Sequence, residues 1–251
     1  MVRWGDRFDM TISLCFTGNR DRVPSLDTEL ERVGLRVGLR MWNVPSPHEK
    51  LVVDALPRIN PWMSWNAGFR NSGFGHYRAA KTALELGVER CLIVEDDIRF
   101  LRDLDALAET VDAAPDAADV WLFDLLKRGS EDSAAIREHL ERNARGRWTT
   151  PTDNPCSMAC YGLSRKGMRF IVGCFENAFA GRCRLGIADH YFWKRWHGGE
   201  IQFACAWPLA CIQVPVGRLS NTATAFGKGN GNCQLDWYRE LGLDLNAYAY
   251  A

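Results

Sequence analysis

The sequence lacks a surplus of charge of either sign. Its 31 Lys and Arg residues balance 31 Asp and Glu residues, so the formal net charge at pH 7 is zero. A chain with no overall positive field has no general attraction for nucleic acid or anionic membranes, although a local basic patch is compatible with this total. The composition therefore does not favour broad binding to polyanions.

The sequence also lacks long apolar runs. No stretch approaches the roughly 20 apolar residues that span a bilayer, and the N-terminal MVRWGDRFDM has no apolar segment typical of a secretory signal. We therefore expect no transmembrane segment and a cytoplasmic location.

The cysteines lack the spacing of a metal site or of a disulfide framework. They number nine, which is odd, and no C-x-x-C occurs. The closest pair, Cys156 and Cys160, has no matching second pair. A chain of 251 residues buries a sizeable core without covalent staples. We expect reduced thiols and no structural zinc.

Alternating strand and helix patterns are present along most of the chain. MTISLCF at 10–16 predicts a strand, 24–33 has helical apolar spacing, and 35–41 alternates as a strand does. A loop with one short helix at 49–56 is predicted over Asn43 to Gly75. Later predicted helices cover 76–86, the residues after Asp103, 165–179 and 187–196, and later predicted strands cover 91–95, 119–126, 157–163 and 201–206.

This order predicts an α/β fold with a mostly parallel sheet flanked by helices. We find no linker that divides the chain, so we expect a single domain over residues 1–251. Residues 10–126 would form its first half and residues 127–216 its second half. The Gly- and Asn-rich tail, 217–251, is expected to be flexible with one short helix.

The stretch CLIVEDDIRF sends an apolar strand directly into three acids. Ligands of open α/β sheets bind at the carboxyl ends of strands, and carboxylate oxygens there suit Mg²⁺ or Mn²⁺. Because successive side chains diverge, Glu95 and Asp97 should share one side while Asp96 points to the other. We predict Glu95 and Asp97 as metal ligands. A plainer interpretation is a solvated turn or a helix cap.

From the residues alone, these acids fit either a metal-dependent enzyme site or a phosphorylation receiver domain. Phosphorylation receiver domains also hold Mg²⁺ with adjacent acids after a strand. In this chain about ninety residues precede the acids, and the next strand arrives by Asp119 with Asp124 inside it. That order of elements is wrong for a receiver domain and favours an enzyme site.

Four stretches together resemble glycosyltransferase family 25, the lipooligosaccharide and collagen sugar transferases. In chain order they are NRDRVPSL, GFGHYRAAKTALELGVERCLIVEDDIRFL, CSMACYGLSRKGMRFIV and ADHYFWKRW. The second is the most specific, since it resembles the family's Gly-rich turn, His-bearing helix and EDD strand. The set covers about residues 11–215. The loop at 60–75 departs from the family in its Trp and Asn residues.

The resemblance implies a GT-A fold, in which residues 10–126 form a Rossmann-like nucleotide-sugar and metal half and residues 127–216 an acceptor half. The implied enzyme is hexosyltransferase-like and inverting. It also implies a donor that is usually UDP-linked, a glycan or other hydroxyl-bearing acceptor, and Mn²⁺ or Mg²⁺. Asp189 matches the family's acidic position and is our predicted catalytic base, with Asp124 and Asp153 as alternatives. The remaining predicted substrate-binding residues are Arg22, His76, Arg78, Asp96 and His190.

Two alternatives stay open beside this interpretation. One is a non-catalytic GT-A-like binding protein, which donor hydrolysis would discriminate. The other is a glycosyltransferase whose acceptor is a hydroxylated base in DNA, for which phosphate-binding cations are needed. The basic residues offered for that role are Arg165, Lys166, Arg169, Arg182, Arg184, Lys194 and Arg195. Trp62 and Trp65 are candidates for stacking on a sugar or base.

Overall fold

The computed structural model describes residues 2–15, 17–42, 67–125, 132–151, 157–180, 182, 199–214 and 233–248. This part of the chain contains nine strands and six α-helices. The strands are β1 (Met10–Cys15), β2 (Leu39–Trp42), β3 (Arg90–Glu95), β4 (Ile98–Phe100), β5 (Val120–Leu122), β6 (Trp148–Thr149), β7 (Cys160–Ser164), β8 (Phe203–Ala206) and β9 (Cys211–Gln213). The helices are α1 (Val23–Arg32), α2 (Ala67–Glu85), α3 (Leu104–Asp112), α4 (Ser133–Asn143), α5 (Arg165–Phe179) and α6 (Cys233–Glu240).

Seven of the strands form one mixed sheet in the order β2-β1-β3-β7-β5-β8-β6. Strands β2, β1, β3, β5 and β8 run in one direction, whereas β7 and β6 run in the other. Strands β4 and β9 pair separately in an antiparallel ladder. This mostly parallel sheet with flanking helices confirms the predicted α/β class.

Strand β3 is an interior strand of the sheet, between β1 and β7. Its residues Cys91 through Val94 are completely buried, as expected of a strand covered on both faces. Helices α2 and α5 pack against each other over one face, with the rings of Tyr77 and Phe175 5.3 Å apart.

Helix α5 shows how local sequence sets an element boundary. The Ser164 side chain accepts a hydrogen bond from the Gly167 backbone N–H at 3.1 Å, which caps the first turn. Met168, Ile171 and Phe175 follow at helical spacing on the buried face. The helix therefore covers 165–179, as its sequence predicts.

Helix α2 differs from its prediction, because it begins at Ala67 rather than near His76. Glycine disfavours a helix interior by roughly 1 kcal/mol relative to alanine, which is why Gly73 and Gly75 suggested a loop. Aromatic packing between α2 and α5 outweighs that cost. The ring centroids of Phe74 and Phe179 lie 6.2 Å apart in an edge-to-face arrangement. The predicted helices at 49–56 and 187–196 lie outside the described residues.

The described part of the C-terminal region packs into the core. Tyr238 on α6 and Tyr248 are almost completely buried, and the Tyr248 hydroxyl donates to the Leu209 carbonyl at 2.9 Å. Within the residues described, no helix is both long and apolar enough to cross a membrane. The division of the chain into two functional halves stays a prediction.

Candidate functional site

The three acids lie at the carboxyl end of β3, the third of the seven strands in the sheet. Asp96 is 1% exposed and Asp97 is 8% exposed, while Glu95 is half-buried. A solvated turn would leave these carboxylates in water, so the plainer interpretation does not describe them. Burying three adjacent acids is costly unless positive charge or hydrogen-bond donors compensate them.

Arg22 supplies part of that compensation. It ends the 3₁₀ helix Thr17–Arg22, which follows β1, the parallel neighbour of β3. Its Nη1 lies 3.2 Å from Asp96 Oδ1 and 3.6 Å from Asp97 Oδ2, and the side chain is 2% exposed. The structure thus places Arg22 as a buried counter-ion to Asp96. The nucleotide contacts predicted for Arg22 and Asp96 stay predictions.

Glu95 and Asp97 both contact the side-chain amide of Gln213. The Gln213 Nε2 lies 3.2 Å from Glu95 Oε2 and 3.5 Å from Asp97 Oδ1, so both carboxylates approach one point. Gln213 ends β9, opposite Ile98 in the β4–β9 ladder. Asp97 also lies 3.6 Å from Arg22 Nη1, the nitrogen that contacts Asp96, so the placement of Asp96 on the opposite side stays a prediction.

Sequence reasoning missed Gln213, which lies more than one hundred residues from the acids along the chain. Two backbone hydrogen bonds hold it in place. The Val214 N–H donates to the Asp97 carbonyl at 2.7 Å, and the Gln213 N–H donates to the Tyr238 hydroxyl at 3.0 Å. Only the pairing of β9 with β4 brings it to the site, and no local pattern signals that pairing.

Asp97 has a strongly perturbed pKa. Burial, followed by the nearby charges of Glu95 and Asp96, raises the pKa of Asp97 well above its ordinary value, and Arg22 lowers it only in part. A carboxylate in this state gains from any additional positive charge. A divalent cation between Glu95 and Asp97 would supply that charge.

The residues present fit such a cation in one specific way. Among the residues that the structure describes, no group of three or more His, Cys, Asp and Glu side chains is arranged to hold a metal ion. Mg²⁺ and its relatives are commonly held by one or two carboxylates, with water and substrate phosphates completing the shell. The pair Glu95 and Asp97 matches that type of site rather than an all-protein cage.

His76 on α2 contacts the same cluster. Its Nε2 lies 3.3 Å from Glu95 Oε1, its Nδ1 lies 3.0 Å from the Tyr161 hydroxyl, and the residue is 2% exposed. Arg78, further along the same helix, donates from Nη1 to the Trp42 carbonyl at 3.5 Å, at the end of β2. The donor contacts predicted for His76 and Arg78 stay predictions.

Asp124 lies two residues beyond β5 and is completely buried. Its carboxylate accepts hydrogen bonds from the Ser157 hydroxyl and from the Cys160 N–H, the latter at 3.3 Å. Burial raises the pKa of Asp124 from its ordinary value of 3.8 to about 7, although these two hydrogen bonds oppose the shift. The nearby charges of Glu95 and Asp97 raise it further, so Asp124 belongs electrostatically to the same cluster.

Several predicted site residues lie outside the described residues. They are Asp189, His190, Asp153, Trp62 and Trp65. The assignment of Asp189 as catalytic base therefore stays a prediction, as does a substrate contact for His190.

No family model matches the chain, and no curated protein matches it in sequence. Membership of glycosyltransferase family 25 therefore stays a prediction. Mouse xyloside xylosyltransferase 1, in its apo form, is 11% identical with a TM-score of 0.37, and the match covers 77% of this chain and 83% of that one.

Two further solved structures are similar at the same level. A glycosyltransferase involved in the glycosylation of the major capsid of PBCV-1 is 7% identical with a TM-score of 0.46, over 87% of this chain and 98% of that one. Mannose-1-phosphate geranyltransferase from Thermus thermophilus is 12% identical with a TM-score of 0.36, over 78% of this chain and 73% of that one. At these TM-scores the likenesses carry no argument about function.

Proposed function

We propose that this chain is a metal-dependent glycosyltransferase that moves a sugar from a nucleotide-sugar donor, usually UDP-linked in the family it resembles, to an acceptor hydroxyl. One observation carries the proposal. Glu95 and Asp97 converge on one point at the carboxyl end of a central strand, and Asp97 lacks full charge compensation there. That is where ligands of open α/β sheets bind.

Glu95 and Asp97 would hold Mn²⁺ or Mg²⁺, because carboxylate oxygens are the hard ligands that these ions prefer. When bound, the cation supplies positive charge to the leaving diphosphate. Arg22 pairs most closely with Asp96 and orients that carboxylate. The chain's own acids thus fix where the diphosphate would lie.

Inversion at the anomeric carbon needs a base that takes the proton of the acceptor hydroxyl. We propose Asp189 for this role on the family resemblance. Asp124 is less suited, because it is completely buried and already accepts two hydrogen bonds. A base must reach the acceptor, and a carboxylate with no exposed surface does not.

Two of the basic residues offered for a DNA acceptor are paired with acids. Arg165 pairs with Glu89, and Lys166 lies 2.9 Å from Asp119. Acids on the same surface therefore already engage these two members of the proposed basic cluster.

A panel of nucleotide sugars tests the proposal directly. Purified protein is incubated with each donor, with Mn²⁺ or with a chelator, and release of the nucleoside diphosphate is measured. We expect hydrolysis of at least one donor that depends on Mn²⁺ and is lost in Glu95→Gln. Glu85→Gln, which changes an exposed acid at the end of α2, serves as the matched control. No hydrolysis of any donor would favour the non-catalytic alternative.

We predict that Asp189→Asn abolishes sugar transfer while donor binding is largely retained. A base acts on the acceptor's proton in the transition state, whereas donor affinity comes from other contacts. Proton abstraction of this kind is worth on the order of a hundredfold to ten-thousandfold in rate. Transfer within a few-fold of the parent would give the base role to another carboxylate, and lost donor binding would make Asp189 a metal ligand.

A further inference from the structure

A chain of hydrogen-bonding groups runs from Tyr161 through His76 to Glu95. The Tyr161 hydroxyl lies 3.0 Å from His76 Nδ1, and His76 Nε2 lies 3.3 Å from Glu95 Oε1. Tyr161 is 1% exposed and His76 is 2% exposed, so water does not compete freely for these contacts. Buried contacts of this kind orient the groups that make them.

The sheet register explains why the three side chains meet. Tyr161 on β7 lies opposite Ile93 on β3, and cross-strand partners share a face of the sheet. Glu95 is two residues beyond Ile93 and therefore projects to that same face. Helix α2 contacts β1 and β3, and it brings His76 between Tyr161 and Glu95.

The chemistry of the end groups sets the direction of the hydrogen bonds. Burial raises the pKa of Tyr161 well above its ordinary value, so the phenol keeps its proton and can donate it. Glu95, as a carboxylate, only accepts. Of the two neutral tautomers of His76, only the one with the proton on Nε2 satisfies both neighbours: its Nδ1 accepts from Tyr161 and its Nε2–H donates to Glu95.

Both oxygens of Glu95 are thereby held. His76 contacts Oε1 and Gln213 contacts Oε2, from α2 on one side and β9 on the other. A carboxylate held at both oxygens does not have to be ordered when a ligand arrives, which lowers the entropic cost of binding.

We infer that His76 and Tyr161 are positioning residues: Tyr161 fixes the tautomer of His76, and His76 holds the Glu95 carboxylate for a divalent cation. The role of the cation rests on the proposed function, whereas the hydrogen-bond chain does not. His76 thus acts through Glu95, and this role differs from the direct donor contact that its sequence context predicts.

The experiment uses Tyr161→Phe, His76→Gln and the double variant in the full chain. Loss of such supporting partners typically weakens metal binding by about tenfold to a hundredfold, and we expect this for Tyr161→Phe. A Gln side chain can donate its amide N–H to Glu95 without help from Tyr161. In the His76→Gln background the Tyr161→Phe change should therefore have little further effect. Mn²⁺ alone is the probe, followed by electron paramagnetic resonance.

A second readout does not depend on the metal. Nitrogen-15 NMR of the metal-free protein should show the Nε2–H tautomer of His76 in the parent and a loss of that preference in Tyr161→Phe. The control is Tyr248→Phe, which removes another buried tyrosine hydroxyl that donates to a backbone carbonyl. It should leave both the His76 tautomer and the Mn²⁺ affinity unchanged.

Three results would overturn parts of this account, each in a different way. An Nδ1–H tautomer in the parent would refute the hydrogen-bond chain. If Tyr161→Phe lowers the Mn²⁺ affinity equally in the parent and in the His76→Gln background, Tyr161 acts only through packing and not through His76. If the parent binds no Mn²⁺, the metal site of the proposed function fails, and the tautomer measurement alone decides whether the chain exists.

Discussion

At the scale of single residues, the carboxylates of this cluster differ in the groups that compensate their charge. Asp96 has the guanidinium of Arg22 at 3.2 Å. Asp124 accepts from two neutral donors, Ser157 and Cys160, and is buried completely. A buried carboxylate without a cation binds its proton more tightly than one in water.

Asp124 therefore predicts a pH dependence of stability. The folded chain keeps a proton on Asp124 up to about pH 7, whereas an unfolded chain releases it near the ordinary value of 3.8. The folded state binds more protons in this window, so the free energy of unfolding falls as pH rises from about 4 to 7. Asp124→Asn should remove a fall on the order of a few kcal/mol.

Denaturant titrations from pH 4 to pH 8 check this prediction, with the exposed Asp105→Asn as the control. The difference in the free energy of unfolding between the parent and Asp124→Asn should shrink or change sign as the pH rises from 4 to 8. A constant difference would show that Asp124 has the same protonation state in the folded and unfolded chains.

Arg22 gives a second prediction at this scale. Removing one member of a buried ion pair leaves the other charge uncompensated and typically costs about 3–5 kcal/mol. Arg22→Leu should lower the free energy of unfolding by this amount, because Asp96 and Asp97 would lose their shared cation. Arg36→Leu alters an exposed arginine and should change stability little. Similar urea midpoints for the two variants would contradict the compensating role.

At the scale of elements, helix α5 contains two glycines in very different surroundings. A Cβ added at Gly167 would lie 2.4 Å from the Asp119 carbonyl oxygen, which is backbone and has little freedom to move. A Cβ added at Gly173 would meet nothing within 4 Å. Gly167→Ala should cost about 1–3 kcal/mol through overpacking, while Gly173→Ala should gain about 0.5–1 kcal/mol.

Thermal unfolding of both variants checks this prediction. Opposite shifts of Tm are expected, down for Gly167→Ala and up for Gly173→Ala. Equal shifts would mean that α5 does not approach the Asp119 backbone as closely as described.

Elements also show how far the sequence alone reaches. Boundaries set by local signals, such as the Ser164 cap of α5 and the unbroken apolar run of β3, were predictable. The start of α2 was not, because its glycines argue for a loop and only packing against α5 outweighs them. Strand β5 ends at Leu122 rather than continuing through Leu125, the last residue described there, because the length of a strand depends on its pairing partners.

At the scale of the whole molecule, the candidate site joins residues that only the topology brings together. The acids after β3 were predictable from one short stretch, because an apolar strand that ends in carboxylates is a local pattern. Gln213 and Tyr161 were not, since their places depend on the β4–β9 ladder and on the antiparallel pairing of β7 with β3. Arg22 was found, but its buried contact with Asp96 was not.

The central claim is that a divalent cation at Glu95 and Asp97 links the chain to a nucleotide diphosphate. Calorimetric titration with UDP, in Mn²⁺ and then in chelator, tests it most directly when the parent is compared with Asp97→Asn and with the exposed control Asp105→Asn. We predict binding in Mn²⁺ that is largely lost on chelation in the parent and control, and weak binding in both conditions for Asp97→Asn. Equal affinity with and without Mn²⁺, or Mn²⁺-dependent affinity that survives Asp97→Asn, would contradict it.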